Sequence, residues 1–337
     1  MDQAKEAEAP SDEEDEAFVT EFLVKKGQGS LNWQPFECSY SELVSNSLDI
    51  DLVLSNLCQG KIPAIIIREA LDPEVCATLV QRLNFLDDDQ IKFVNGESRE
   101  SCERFDVGTS LGVLGHDPEA FFRDAEKTRD LFEKKLLARL PQNPLDVLYA
   151  ALSNLAKPLG CRVMTAVEPN DANKTYGPAI FRSHKPHRGY PPHFDSVRWR
   201  EKRMEYPAVY SHETQLAGIL LIQAPELRRV SSSWQKEGSV YSDCIIYKQP
   251  AMDLVDVIPK HSDNLTHWVF DPDAFSEYVE THSVPSYPVN LNTGDLYFFK
   301  CDSMHAVPGF DGKLNRVTLA TFIGVGPDKD DRISVWS

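Results

Sequence analysis

The sequence predicts a mainly β protein with flanking helices, an α+β chain whose core is a jelly roll of two facing sheets. Three observations carry this. From Arg182 onward, short apolar runs alternate with turns at 215–223, 243–247, 288–291, 296–300 and 314–325, the signature of an antiparallel all-β core. The longest helical patterns fall in the first half, at 117–140 and 144–156. The side chains best suited to metal chemistry lie far apart, at 193–195 and 305–318, and a jelly roll can bring such stretches together.

In chain order, a poorly patterned stretch to about Cys38 is followed by 41–57, which reads as a helix stopped at Gly60. The β-branched run IPAIIIR at 62–68 reads as a buried strand. Asp72-Pro73-Glu74 then supplies an N-cap, a proline at the first helical position and an acid in the first turn of a helix reaching about Leu83. Residues 104–114 are loop and strand material. Asp117 and Pro118 open a helix that Pro141 ends, and a further helix spans 144–156. Strands at 161–168 and 178–182 lead into His193-Phe194-Asp195. The helices at 117–140 and 144–156 are expected to buttress the outside of a sheet.

The segment 226–280 is longer and more polar than a barrel connection needs, with a helix near 273–280, and is a candidate lid. Residues 1–16 carry eight acids against one lysine, so 1–17 is expected to be a solvated, disordered tail. The rest, 18–337, is expected to be one domain, with 18–160 as helical and strand support and 161–337 as the jelly-roll core.

A net charge of −17 argues against nucleic acid as a partner. The apolar run at 216–222 is far short of the 18 or more residues a membrane span needs, and the acidic N-terminus lacks the basic and apolar regions of a secretory signal. Seven scattered cysteines without C-x-x-C spacing suggest neither a disulfide frame nor a zinc site. A reducing, cytoplasmic setting fits them.

The chemistry is expected in five residues. Residues two apart on a strand share a face, so His193 and Asp195 can aim an imidazole and a carboxylate at one point while Phe194 packs behind. His305 would complete the two-His, one-carboxylate face that holds Fe(II) with three positions open. On the strand at 314–325, Arg316, Thr318, Ala320 and Phe322 share a face, so Arg316 can grip a carboxylate with its planar fork and Thr318 can add a hydroxyl. Phe194 and Met304 are expected to be packing residues.

His193-x-Asp195, His305 and Arg316 eleven residues on resemble the motif of the non-haem Fe(II)/2-oxoglutarate-dependent oxygenases, with Thr318 where many members carry serine. The resemblance covers the C-terminal half well and the N-terminal half only loosely, through a strand followed by a helix near the start of the folded part. It implies a cupin-like double-stranded β-helix, Fe(II) bound by His193, Asp195 and His305, and 2-oxoglutarate held through its far carboxylate by Arg316 and Thr318. It also implies use of O2, with release of succinate and carbon dioxide as a C–H bond is oxidised. In related halogenases a glycine or alanine stands in place of Asp195, so halogenation is not expected.

Between Arg182 and Arg203 seven basic residues face two acids, a field suited to a small anionic substrate. Arg182, Arg188, Arg198, Arg200 and Arg203 are the candidate substrate-binding residues, His184 and His187 can add donors, and one arginine is available to the second carboxylate of 2-oxoglutarate. Two activities stay open. One is hydroxylation, desaturation or oxidative ring closure of a carboxylate-bearing, amino-acid-derived metabolite, as in the kainoid synthases. The other is oxidation of an acidic peptide. A metal-free binding protein of the same fold is a third option, which the intact five-residue set argues against.

Overall fold

The computed structural model describes residues 33–199, 205–230, 241–255, 257–258, 268–326 and 331–337. The expected tail at 1–17, Arg200 and Arg203 lie outside them. The strands are β1 (Phe36–Ser39), β2 (Ala64–Arg68), β3 (Lys92–Val94), β4 (Arg104–Val107), β5 (Arg162–Thr165), β6 (Ile180–His184), β7 (Tyr190–Phe194), β8 (Thr214–Gln223), β9 (Leu227–Val230) and β10 (Cys244–Pro250). They continue with β11 (Trp268–Val269), β12 (Ser286–Val289), β13 (Leu296–Lys300), β14 (Ser303–Val307), β15 (Phe310–Asp311), β16 (Arg316–Val325) and β17 (Arg332–Trp336).

Two sheets make the core. The larger runs β1-β2-β13-β8-β16-β6-β4-β3, with β17 beside β16 and β5 beside β17; the smaller runs β11-β7-β14-β10-β12. This is the expected mainly β jelly roll with flanking helices.

Side-chain alternation on the central strands explains the layering. On β16, Val317, Leu319 and Ile323 join the apolar cluster that also holds Leu216 and Leu220 of β8 and Leu296 and Phe298 of β13. The opposite face of β16 turns Arg316, Thr318, Ala320 and Phe322 to a cavity. Helix α1 (Pro73–Asn84) joins the outer cluster through Val75, Cys76, Leu79 and Leu83, and α2 (Pro144–Ala156) through Val147, Leu148, Ala151, Leu152 and Leu155. Spacings of three and four put each set on one helix face, and each fully buried leucine contributes about 1.5–3 kcal/mol. Asp72 caps α1 by accepting from the Glu74 N–H at 2.7 Å. The helix at 144–156 is therefore a buttress, as expected, and α1 is another.

Two expectations change. The single helix at 41–57 is two short ones, Tyr40–Val44 and Val53–Cys58. Asn46 between them adopts a left-handed φ of 54°, which asparagine tolerates and a helix does not. The stretch 226–280 is not a lid throughout, because β10 lies between β14 and β12 in the smaller sheet; its helix is α3 (Pro272–Thr281). Residues 303–307, for which the sequence set no expectation, form strand β14, which carries His305. Among the described residues no helix is long and apolar enough to cross a membrane.

The turn before β13 is a keystone. Gly294 has φ +92°, and a Cβ there would lie 2.2 Å from the Leu71 carbonyl oxygen. Next to it, the buried Asp295 accepts from the Glu69 N–H at 3.0 Å, the Asn292 N–H at 2.8 Å and Arg68 Nη1 at 2.7 Å. Gly294→Ala should destabilise the fold by about 1–3 kcal/mol from backbone strain alone, with the clash added. Thermal unfolding checks this, and an unchanged Tm would contradict it.

Candidate metal and carboxylate site

Strand pairing builds the centre. In the antiparallel pair β7 and β14, His193 and His305 stand directly opposite each other, with ring centroids 4.1 Å apart. Asp195 follows the end of β7 and donates its backbone N–H to the Cys301 carbonyl at 2.8 Å. Its Oδ2 lies 3.8 Å from His305 Nε2. One donor atom from each of His193, Asp195 and His305 lies within 4.8 Å of the others.

The hydrogen bonds behind the rings orient them. His193 Nδ1 is 2.7 Å from the Pro191 carbonyl oxygen, and His305 Nδ1 is 3.0 Å from that of Ser303. A carbonyl only accepts, so each Nδ1 carries a proton and Nε2 is the nitrogen left to turn to a metal. Burial pushes the His305 pKa down although Asp195 pulls it up, and the neutral ring is the ligating form. Two imidazoles and one carboxylate converging on a point fit a divalent cation with open positions. Phe194 and Met304 sit in an apolar cluster with Phe270 and Phe275, so both are packing residues.

The three groups line a cavity of about 550 Å³ between the sheets, together with Arg316 and Thr318. Arg316 is only 4% exposed. Its Nε donates to Asp243 Oδ1 at 3.2 Å, while Asp243 also accepts from the Tyr241 hydroxyl and the Leu291 N–H, each at 2.9 Å. Burial opposes the charge on Arg316, but Asp243, Tyr241 and Tyr297 together outweigh it, so the guanidinium pKa is raised. Asp243 braces the guanidinium through Nε, and the two terminal nitrogens remain for a carboxylate in the cavity. The Asp243–Tyr241 support was not foreseen: the two charges lie 73 residues apart, and nothing local joins them.

The basic window divides. Arg182 and His184 line the cavity. Arg188 does not: it is exposed and pairs with Glu103 Oε1 at 2.8 Å, so its charge is answered at the surface. Arg198 is also exposed and lines a separate small pocket with His212 and Trp336. His187 pairs with Asp311 at 3.2 Å. Arg104, 78 residues before Arg182 in sequence, joins the same cavity. Strand pairing could have flagged it only once β4 was set beside β6.

No protein-family model matches the chain, and no curated protein matches it. Similar solved structures include the N-substituted L-amino acid dioxygenase of Burkholderia ambifaria AMMD in complex with alpha-KG, at 14% identity and TM-score 0.46, covering 86% of this chain and 92% of that one. The epimerase SnoN from nogalamycin biosynthesis, in complex with Fe3+, alpha ketoglutarate and nogalamycin RO, is similar at 14% identity and TM-score 0.39, covering 78% and 81%. The GlcNAc Inducible Gene 2 protein of Candida albicans is similar at 13% identity and TM-score 0.45, covering 90% and 69%. With these TM-scores below 0.5, the case for the site rests on its own geometry.

Proposed function

We propose that this protein is a non-haem Fe(II)- and 2-oxoglutarate-dependent oxygenase that oxidises a C–H bond of a small carboxylate-bearing molecule, such as an amino-acid derivative. The observation that carries the reading is one cavity holding two oriented imidazoles, a carboxylate and a braced arginine. His193, Asp195 and His305 hold the metal, and Arg316 with Thr318 takes the far carboxylate of the cosubstrate. When bound, Fe(II) and 2-oxoglutarate supply O2-dependent oxidation of a C–H bond with release of succinate and carbon dioxide.

The chain's own part is to bind and to orient. Ile180, Ile219, Phe299 and Phe322 give the cavity an apolar wall that excludes water beside the charged groups. A volume of about 550 Å³ lies in the range of small-molecule sites, which favours a metabolite over an acidic peptide. Asp195 fills the position that a halide would need, so hydroxylation, desaturation or ring closure is the outcome. The seven free cysteines, five of them buried, suit a reducing, cytoplasmic setting for an Fe(II) protein.

A panel of carboxylated metabolites, scored for substrate-dependent succinate release with products read by mass, tests this. The expected hit gains one oxygen atom or loses two hydrogens. Hits confined to acidic peptides would overturn the small-molecule assignment.

A further inference from the structure

Two rows of polar side chains cross the larger sheet on its cavity face. In register, Arg104 of β4 stands opposite His184 of β6, which stands opposite Arg316 of β16; one step along, Asp106, Arg182 and Thr318 form the second row. Two of the three arginines have their charge answered. Arg104 makes a bidentate pair with Asp106, Nε to Oδ1 at 2.7 Å and Nη2 to Oδ2 at 2.9 Å, and Arg316 is paired with Asp243.

Arg182 differs. Among the described residues it has no ion pair, and its Nε is sealed from solvent without a hydrogen-bond partner. Both oxygens of its registered neighbour Asp106 are already engaged by Arg104. Burial lowers the Arg182 pKa and Arg104 adds to the effect, with only partial relief from Asp106, Asp195 and Tyr190. His184 is held well below its ordinary pKa by burial and by Arg104, Arg316 and Arg182, so it is a neutral ring beside these charges.

We propose that Arg182, flanked by His184 and Arg104, is a second anion subsite in this cavity, taking a single carboxylate of a substrate whose apolar body lies against Ile180, Ile219 and Phe322. This deepens the oxygenase reading and rests on it for the identity of the cosubstrate. One uncompensated positive charge matches a monoanion, while a dianion such as phosphate would bring a second negative charge with no partner. The planar fork suits a carboxylate. Keeping a partly buried guanidinium with a sealed, unpartnered Nε costs stability, a cost that suits a group placed for a ligand.

The test uses the full-length protein loaded with Ni(II), a redox-inert stand-in, and saturated with 2-oxoglutarate. Hexanoate, phenylacetate, hexanamide and inorganic phosphate are titrated calorimetrically into wild type, Arg182→Met and Arg182→Lys. Hexanoate or phenylacetate should bind wild type alongside 2-oxoglutarate, with hexanamide and phosphate at least about tenfold weaker. Arg182→Met should lose at least about tenfold in monocarboxylate affinity, and Arg182→Lys should recover part of it. Affinity for 2-oxoglutarate should stay within about twofold in Arg182→Met, and its ligand-free Tm should rise.

Monocarboxylate binding that is absent in wild type or unchanged in Arg182→Met overturns the proposal. So does a parallel loss of 2-oxoglutarate, which would assign Arg182 to the cosubstrate, and so does a collapse of the Arg182→Met fold. If wild type binds hexanoate through Arg182 but never binds 2-oxoglutarate, the oxygenase reading fails and the subsite stands.

Discussion

Replacing His193 or His305 with alanine should abolish turnover and weaken metal binding while the chain stays folded. Each imidazole presents one Nε2 to the same point, with its Nδ1 on a backbone carbonyl. Loss of a supporting hydrogen-bond partner alone costs roughly 10–100-fold in metal affinity, so removing a ligand should cost more. The fold should survive because both rings face the cavity, and the apolar clusters on either side of it are untouched. Metal content after dialysis, circular dichroism and turnover separate these effects. A variant at either position with full activity and full metal content would remove the residue from the site.

Arg316→Ala should raise the 2-oxoglutarate requirement by two to three orders of magnitude, since breaking a buried hydrogen-bonded charge pair costs about 2–5 kcal/mol. Part of that cost is Asp243, left buried without its partner. The double variant Arg316→Met with Asp243→Asn should therefore regain stability without regaining cosubstrate affinity. Thr318→Ala removes one hydroxyl and should cost about 0.5–1.5 kcal/mol. Apparent affinity from succinate release and Tm from thermal unfolding give the two readings. An unchanged affinity in Arg316→Ala would move the cosubstrate elsewhere.

The strong periodicities were legible in the sequence. Strand alternation put Arg316 and Thr318 on one face, and the structure turns both to the cavity. The cap Asp72-Pro73 opened α1 where expected. His305 was readable as a ligand but not as part of a strand, because β14 is five residues long and its partners β7 and β10 lie far away in sequence. Arg188 and Arg198 show the converse error: closeness to His193 in the chain is not closeness in space. The chain turns at His187, φ 63°, and carries Arg188 outward to Glu103. Arg104 and Asp243 could not be read at all, since each acts through a cross-strand or cross-sheet neighbour that only the folded register defines.

Titration of 2-oxoglutarate into the Fe(II)-loaded protein without O2 tests the central claim most directly. The account predicts one binding site per chain, lost when the metal is removed and lost in both His305→Ala and Arg316→Ala. No binding, or binding indifferent to the metal and to Arg316, would contradict it.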